Sequence, residues 1–112
     1  AGYESQLLEF AVQESETWEQ IKGDIVLVYP TPTVWSSHVF IALDEAGALG
    51  IDALLDEEVQ RLAWENHGFR TGVYDAPTDT AQFGVEGVAE EVIQVAPMPG
   101  APVMEAIIAA LS

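Results

Sequence analysis

DIVLVYPTPTVWSSHVFIALD, Asp24–Asp44, opens as an apolar run, meets a Pro-Thr-Pro-Thr turn, passes the polar group Trp35-Ser36-Ser37-His38 and resumes as a second apolar run. Ile25–Tyr29 is continuous and of strand length, the pattern of a strand covered on both faces. Pro30 and Pro32 lack the N–H that a central ladder needs, so the first strand is expected to stop there. Val39–Leu43 is expected to be the next strand. Two apolar strands joined by a stiff polar elbow suit a chain that crosses a cleft, where hydroxyls and an aromatic face meet a small ligand.

Working outward, Ser5 is the expected N-cap of a helix over Gln6–Gln13, and Ser15–Trp18 begins a short helical turn that Gly23 stops. Asp44–Leu55 reads as a helix interrupted near Gly47 or Gly50. Asp56 is placed to cap a helix whose first turn carries Glu57 and Glu58, favourable at the positive end of the helix dipole. Val59, Leu62 and Ala63 form its apolar stripe, Glu57 is spaced to pair with Arg61, and Gly68 ends it with Phe69 folding back. Thr71–Gly87 is a loop rich in Gly, Asp, Thr and Pro; Val92–Val95 is a short strand; Pro97, Pro99 and Pro102 lead to a last helix with Val103, Ile107, Ile108 and Leu111 on its apolar face. Helices alternating with apolar strands predict an α/β layering, in a single domain over residues 1–112. Tyr3 reads as the end of a strand that begins upstream, so the chain is expected to be part of a larger fold.

The chain has 19 acidic residues against three basic ones, Lys22, Arg61 and Arg70, for a net charge of −16. That charge repels phosphate backbones and anionic lipid, so no nucleic-acid partner is expected. The acids are spread along the chain, as in a solvated surface suited to high salt; attraction of a basic partner and cation binding are the alternatives. Cysteine is absent, which excludes disulfides, thiolate metal sites and cysteine nucleophiles.

Several stretches, taken in order, resemble the C-terminal third of bacterial extracellular solute-binding proteins of the periplasmic type II class. Gly2-Tyr3-Glu4-Ser5-Gln6 resembles the family's Tyr-Glu-Ser turn between a strand and a helix of the second lobe. Val28–Thr33 with His38–Leu43 is similar to the strand that crosses back to the first lobe. Asp56–Gln60 with His67-Gly68-Phe69-Arg70 resembles a late helix and its Gly-Phe-Arg ending. Val95–Pro99 resembles the closing segment of a branch some of whose members occur with von Willebrand factor A-type regions. The resemblance implies a partial periplasmic-binding-protein-like lobe, a few strands flanked by helices, that captures a small-molecule or ion solute for an ABC-type importer without chemistry. It further implies a missing N-terminal lobe, importer membrane subunits as partners, and a periplasmic or extracellular place, with any lipid anchor upstream. The family's N-terminal two-thirds has no counterpart here, and the acidity is higher than the family's pattern.

On this reading Tyr3, Glu4, Ser5, Thr31, Thr33, Trp35, Ser36 and Ser37 are the candidate ligand-binding residues, the first three at a helix N-terminus and the rest along the elbow. In a parallel sheet both groups would face one shared groove. Each has a plainer role: Ser5 as a cap, the elbow as a proline-stiffened connector with surface hydroxyls. Ser37 and His38, adjacent on an extended segment, point to opposite faces and make a poor nucleophile–base pair, and no Gly-x-Ser-x-Gly elbow occurs, so no enzyme activity is expected. Asp75, Asp79, Glu86, Glu90 and Glu91 offer oxygens around the loop but no calcium-loop spacing, so neither metal nor cofactor is expected. The competing function is an acidic interaction module that self-associates or binds a protein. An exposed lobe face predicts a homo-oligomer.

Overall fold

The structure, a computed structural model, describes residues 2–72 and 79–112. Among the described residues there are five α-helices: α1 (Glu4–Gln13), α2 (Ser15–Ile21), α3 (Glu45–Leu54), α4 (Glu57–His67) and α5 (Ala101–Leu111), with 3-10 turns at Lys22–Asp24 and Ala81–Phe83. Two compact units share them. One joins Ala1–Val28 to His38–Glu91; the other joins Tyr29–Ser37 to Val92–Ser112.

The expected α/β architecture is not formed. Among the described residues there is no strand and no sheet, so the chain is not a periplasmic-binding-protein-like lobe. Ile25–Tyr29, Val39–Leu43 and Val92–Val95 are neither helix nor ladder, and what remains of sheet structure is one isolated parallel bridge, Thr33 to Val95. An apolar run reports burial, whereas a strand also needs neighbours for its backbone. Leu27 finds one, donating its N–H to Glu86 O at 2.8 Å, but no strand forms over Ile25–Tyr29.

The first unit is built on α1 and α4, which pack together with α2 and the Ala81–Phe83 turn against α1. Its core is Leu8, Ala11, Trp18, Trp64, Phe83 and Val85, with Ile25 and Leu27 packed against it. Trp64 meets Phe83 edge-on at 4.9 Å between ring centres and donates its Nε1–H to Asp79 O at 3.3 Å. Trp18, edge-on to Phe10, keeps a buried Nε1 with no hydrogen-bond partner among the described residues.

The helix ends show why these elements form. Asp56 caps α4, its carboxylate accepting from Glu58 N at 3.0 Å and Val59 N at 3.2 Å. Gly68 closes it in the left-handed region (φ 66°), donating to Trp64 O, while Phe69 N donates to Ala63 O. A Cβ on Gly68 would stand 2.5 Å from Leu8 Cβ, so this glycine also sets how closely α1 meets the end of α4. Asp44 caps α3 by accepting from Gly47 N at 2.7 Å, and α3 runs uninterrupted through Gly47 and Gly50. Those glycines let the chain Phe40–Ala42 pass close by: a Cβ at either would stand 3.2 Å from Ala42 Cα or from the Phe40 ring. Arg61 pairs with Glu58 and Glu65, not with Glu57; the hydrogen bonds to Glu58 and then Glu65 hold its guanidinium above its ordinary pKa.

In the second unit Thr33 N donates to Gln94 O at 2.9 Å and Ala96 N donates to Thr33 O at 2.8 Å. α5 begins after Gly100 with Pro102 in its first turn, where the missing N–H costs nothing. It buries no residue, and Val103, Ile107 and Leu111, one turn apart on one face, stay exposed.

Candidate functional site

The helix α1 begins two residues earlier than the sequence indicates. Tyr3 is its N-cap, and Gln6 reaches back so that its side-chain oxygen accepts Tyr3 N–H at 3.1 Å. Ser5 is therefore inside the first turn and half-buried, not the cap. The Tyr3 ring is 66 % exposed.

Glu4, a candidate ligand contact, is instead turned into the protein. Its carboxylate accepts from Arg70 Nε at 2.8 Å and from Arg70 Nη2 at 3.2 Å. Both side chains are largely buried, at 16 % and 12 % exposure. Arg70 also donates to Ala89 O at 2.5 Å and Glu90 O at 3.1 Å, and its guanidinium lies 5.4 Å from the centre of the Trp64 ring. One fork of donors thus joins the start of α1, the chain after α4 and the segment near Glu90. Sequence reasoning singled out Gly-Phe-Arg but not this clamp. The available signal is that Arg70 is one of three cations among 19 acids, two residues past a helix-ending glycine.

His67, in the last turn of α4, has Nδ1 2.7 Å from Glu9 Oε1, a contact between α4 and α1. His38 packs edge-on against Phe69, 5.6 Å between ring centres. Ser36 and Ser37 have no hydrogen bond to His38, and all three are exposed.

Thr31, Trp35, Ser36 and Ser37 are exposed and Thr33 is half-buried at the bridge to Val95. These five belong to the second unit, whereas Tyr3, Glu4 and Ser5 belong to the first. Within each unit the structure brings Glu4 to Arg70 and Thr33 to Gln94 and Ala96.

Among the described residues no group of three or more His, Asp or Glu is placed to hold a metal ion. Asp79 uses Oδ1 to accept Ala81 N–H at 2.9 Å, and Asp75 lies outside the described residues. An open polar hollow at the turn between α1 and α2 is lined by Gln13, Glu14, Ser15, Glu16 and Thr17, which provide carboxylates and hydroxyls without a base or a cation. No described helix is long and apolar enough to cross a membrane.

No family model matches the chain, and neither a curated protein nor a solved structure matches it.

An unusual surface is the segment His38–Leu43. Phe40 and Ala42 face α3 at Gly50 and Gly47, and His38 faces Phe69. Val39, Ile41 and Leu43 face outward at 79 %, 73 % and 94 % exposure. Val26 and Val28 are likewise exposed while Ile25 and Leu27 pack inward. This two-residue alternation puts a second row of aliphatic side chains in water.

Proposed function

We propose that this chain is an acidic interaction module that works without chemistry, by self-association or by binding another protein through its outward aliphatic rows. The observation that carries this reading is the row Val39, Ile41 and Leu43. These side chains alternate with residues seated on α3, so the segment is anchored on one face and bare on the other. Scattered exposed apolar residues are ordinary, but a contiguous patterned row on an anchored segment marks a contact surface. The outward face of α5 has the same character. Light scattering across concentration in moderate salt, with an apolar dye as reporter, tests it. The reading expects dye binding and a mass that grows with concentration or on adding the partner. A protein that neither associates nor takes up dye would contradict it.

A second reading is capture of a small solute for transport, in a periplasmic or extracellular setting with importer subunits as partners. It is favoured by Trp35, Ser36 and Ser37, left exposed just after Thr33 is fixed by its two backbone bonds. The helical architecture removes the fold on which the resemblance depended, so this reading stands on those side chains alone. Titration of tryptophan fluorescence with candidate solutes, compared with Trp35→Ala, tests it; no solute-dependent change would set it aside.

A further inference from the structure

We infer that the segment Val39–Leu43 pairs with the same segment of a second copy, antiparallel, about a two-fold axis at Ile41. The inference rests on the interaction-module reading and names its partner and surface.

Two observations lead to a second copy, and symmetry then fixes the register. The first is an unmade ladder: no backbone hydrogen bond ties Val39–Leu43 to another described segment, although its side chains alternate as a strand's do. Such a segment is a template for another chain. The second is charge. Between Asp24 and Asp44 there is no acidic or basic side chain other than His38, in a molecule whose net charge is −16. Two copies can therefore meet along this stretch without placing carboxylates against each other across the apolar residues.

The register follows from the symmetry. With Ile41 opposite Ile41 of the other copy, Val39 falls opposite Leu43, Phe40 opposite Ala42, and His38 opposite Asp44. Outward residues thus match outward residues, and residues seated on α3 match residues seated on α3, as one pleated ribbon requires. The same register sets an imidazole beside a carboxylate at both ends. A symmetric pair is self-complementary in this way by construction, and a one-residue slip would turn the aliphatic row of one copy to the wrong face.

The absence of cysteine makes the test direct. On the axis the two copies of residue 41 would have Cα atoms about 4.5–5.5 Å apart, within the range a disulfide bridges. Two copies of residue 39, or of residue 43, would be about 14 Å apart at strand rise. Each of Ile41→Cys, Val39→Cys and Leu43→Cys changes an exposed side chain, so each should fold as the parent does, checked by helical circular dichroism. Under mild oxidation the inference expects Ile41→Cys to cross-link to a covalent dimer and the other two to stay uncross-linked alone. Mixing Val39→Cys with Leu43→Cys should give the mixed dimer. Ile41→Lys should lower the light-scattering mass to that of one chain. If association persists but Ile41→Cys does not cross-link, or if all three cross-link alike, this pairing is wrong while the module reading stands. A parent protein that stays monomeric and binds no apolar dye overturns both. A monomer that binds dye overturns the pairing and leaves an unlike partner.

Discussion

Arg70 holds Glu4 from 66 residues away in sequence, with two charge-assisted hydrogen bonds at 2.8 and 3.2 Å. The same guanidinium reaches the carbonyls of Ala89 and Glu90. Among the described residues most ion pairs are exposed and contribute little, as do Lys22 with Glu19 and Arg61 with its two glutamates. The Arg70 pair differs because both partners are sheltered, so losing one removes charge-assisted hydrogen bonds that solvent replaces poorly.

Arg70→Ala should therefore cost about 3 kcal/mol of stability, the scale for breaking a sheltered pair from one side. Glu4→Gln should cost less, since the amide oxygen keeps one acceptor. Urea unfolding followed by helical circular dichroism checks both. A loss under about 0.5 kcal/mol for Arg70→Ala would mean the clamp is solvated in practice.

Gly68 and Gly84 offer a paired comparison. Both have positive φ, 66° and 58°, but a Cβ meets Leu8 only at Gly68 and open space at Gly84. Gly84→Ala should lose about 1 kcal/mol, the backbone term alone. Gly68→Ala should lose clearly more, because α1 must also move away from α4. Equal losses in thermal or urea melts would contradict the close approach of Leu8.

Leu8 is fully buried and Leu49 is 71 % exposed. Leu8→Ala should cost about 2–5 kcal/mol. Leu49→Ala on α3 should stay within about 0.5 kcal/mol. A large loss at Leu49 in dilute protein would show that α3 is covered by something other than solvent.

With a net charge of −16, self-repulsion opposes the compact state at low ionic strength. Screening lengths shrink from about 10 Å at 0.1 M to about 3 Å at 1 M salt. The melting temperature should rise from low to molar sodium chloride, and association should strengthen over the same range. A flat curve would mean that structure or bound cations already compensate the acids.

Local chemistry was legible in the sequence where its partners are near in the chain. Asp56 and Gly68 announce the ends of α4 because capping involves only the next few residues. The strands misled for the complementary reason. Ile25–Tyr29 and Val39–Leu43 do have strand-like composition, and their side chains do alternate. Their ladders depend on partners that composition does not reveal; Leu27 donates to Glu86 O, yet neither run becomes a strand. The pairing of Glu4 with Arg70 is not legible in the sequence because the two lie 66 residues apart. The assignment of Thr31, Trp35, Ser36 and Ser37 rested on residue type and on resemblance, and their exposure suits a connector as well as a contact surface.

The central claim is that the unpaired backbone edge of Val39–Leu43, beside α3, is where two copies meet. It is tested most directly by the light-scattering mass of the cysteine-free parent chain at high concentration in about 0.5 M sodium chloride, where charge repulsion is screened within about 4 Å. The account predicts twice the 12.1 kDa of one chain, falling to 12.1 kDa on dilution and in Ile41→Lys at any concentration. A parent mass of 12.1 kDa throughout, or a dimer untouched by Ile41→Lys, would contradict it.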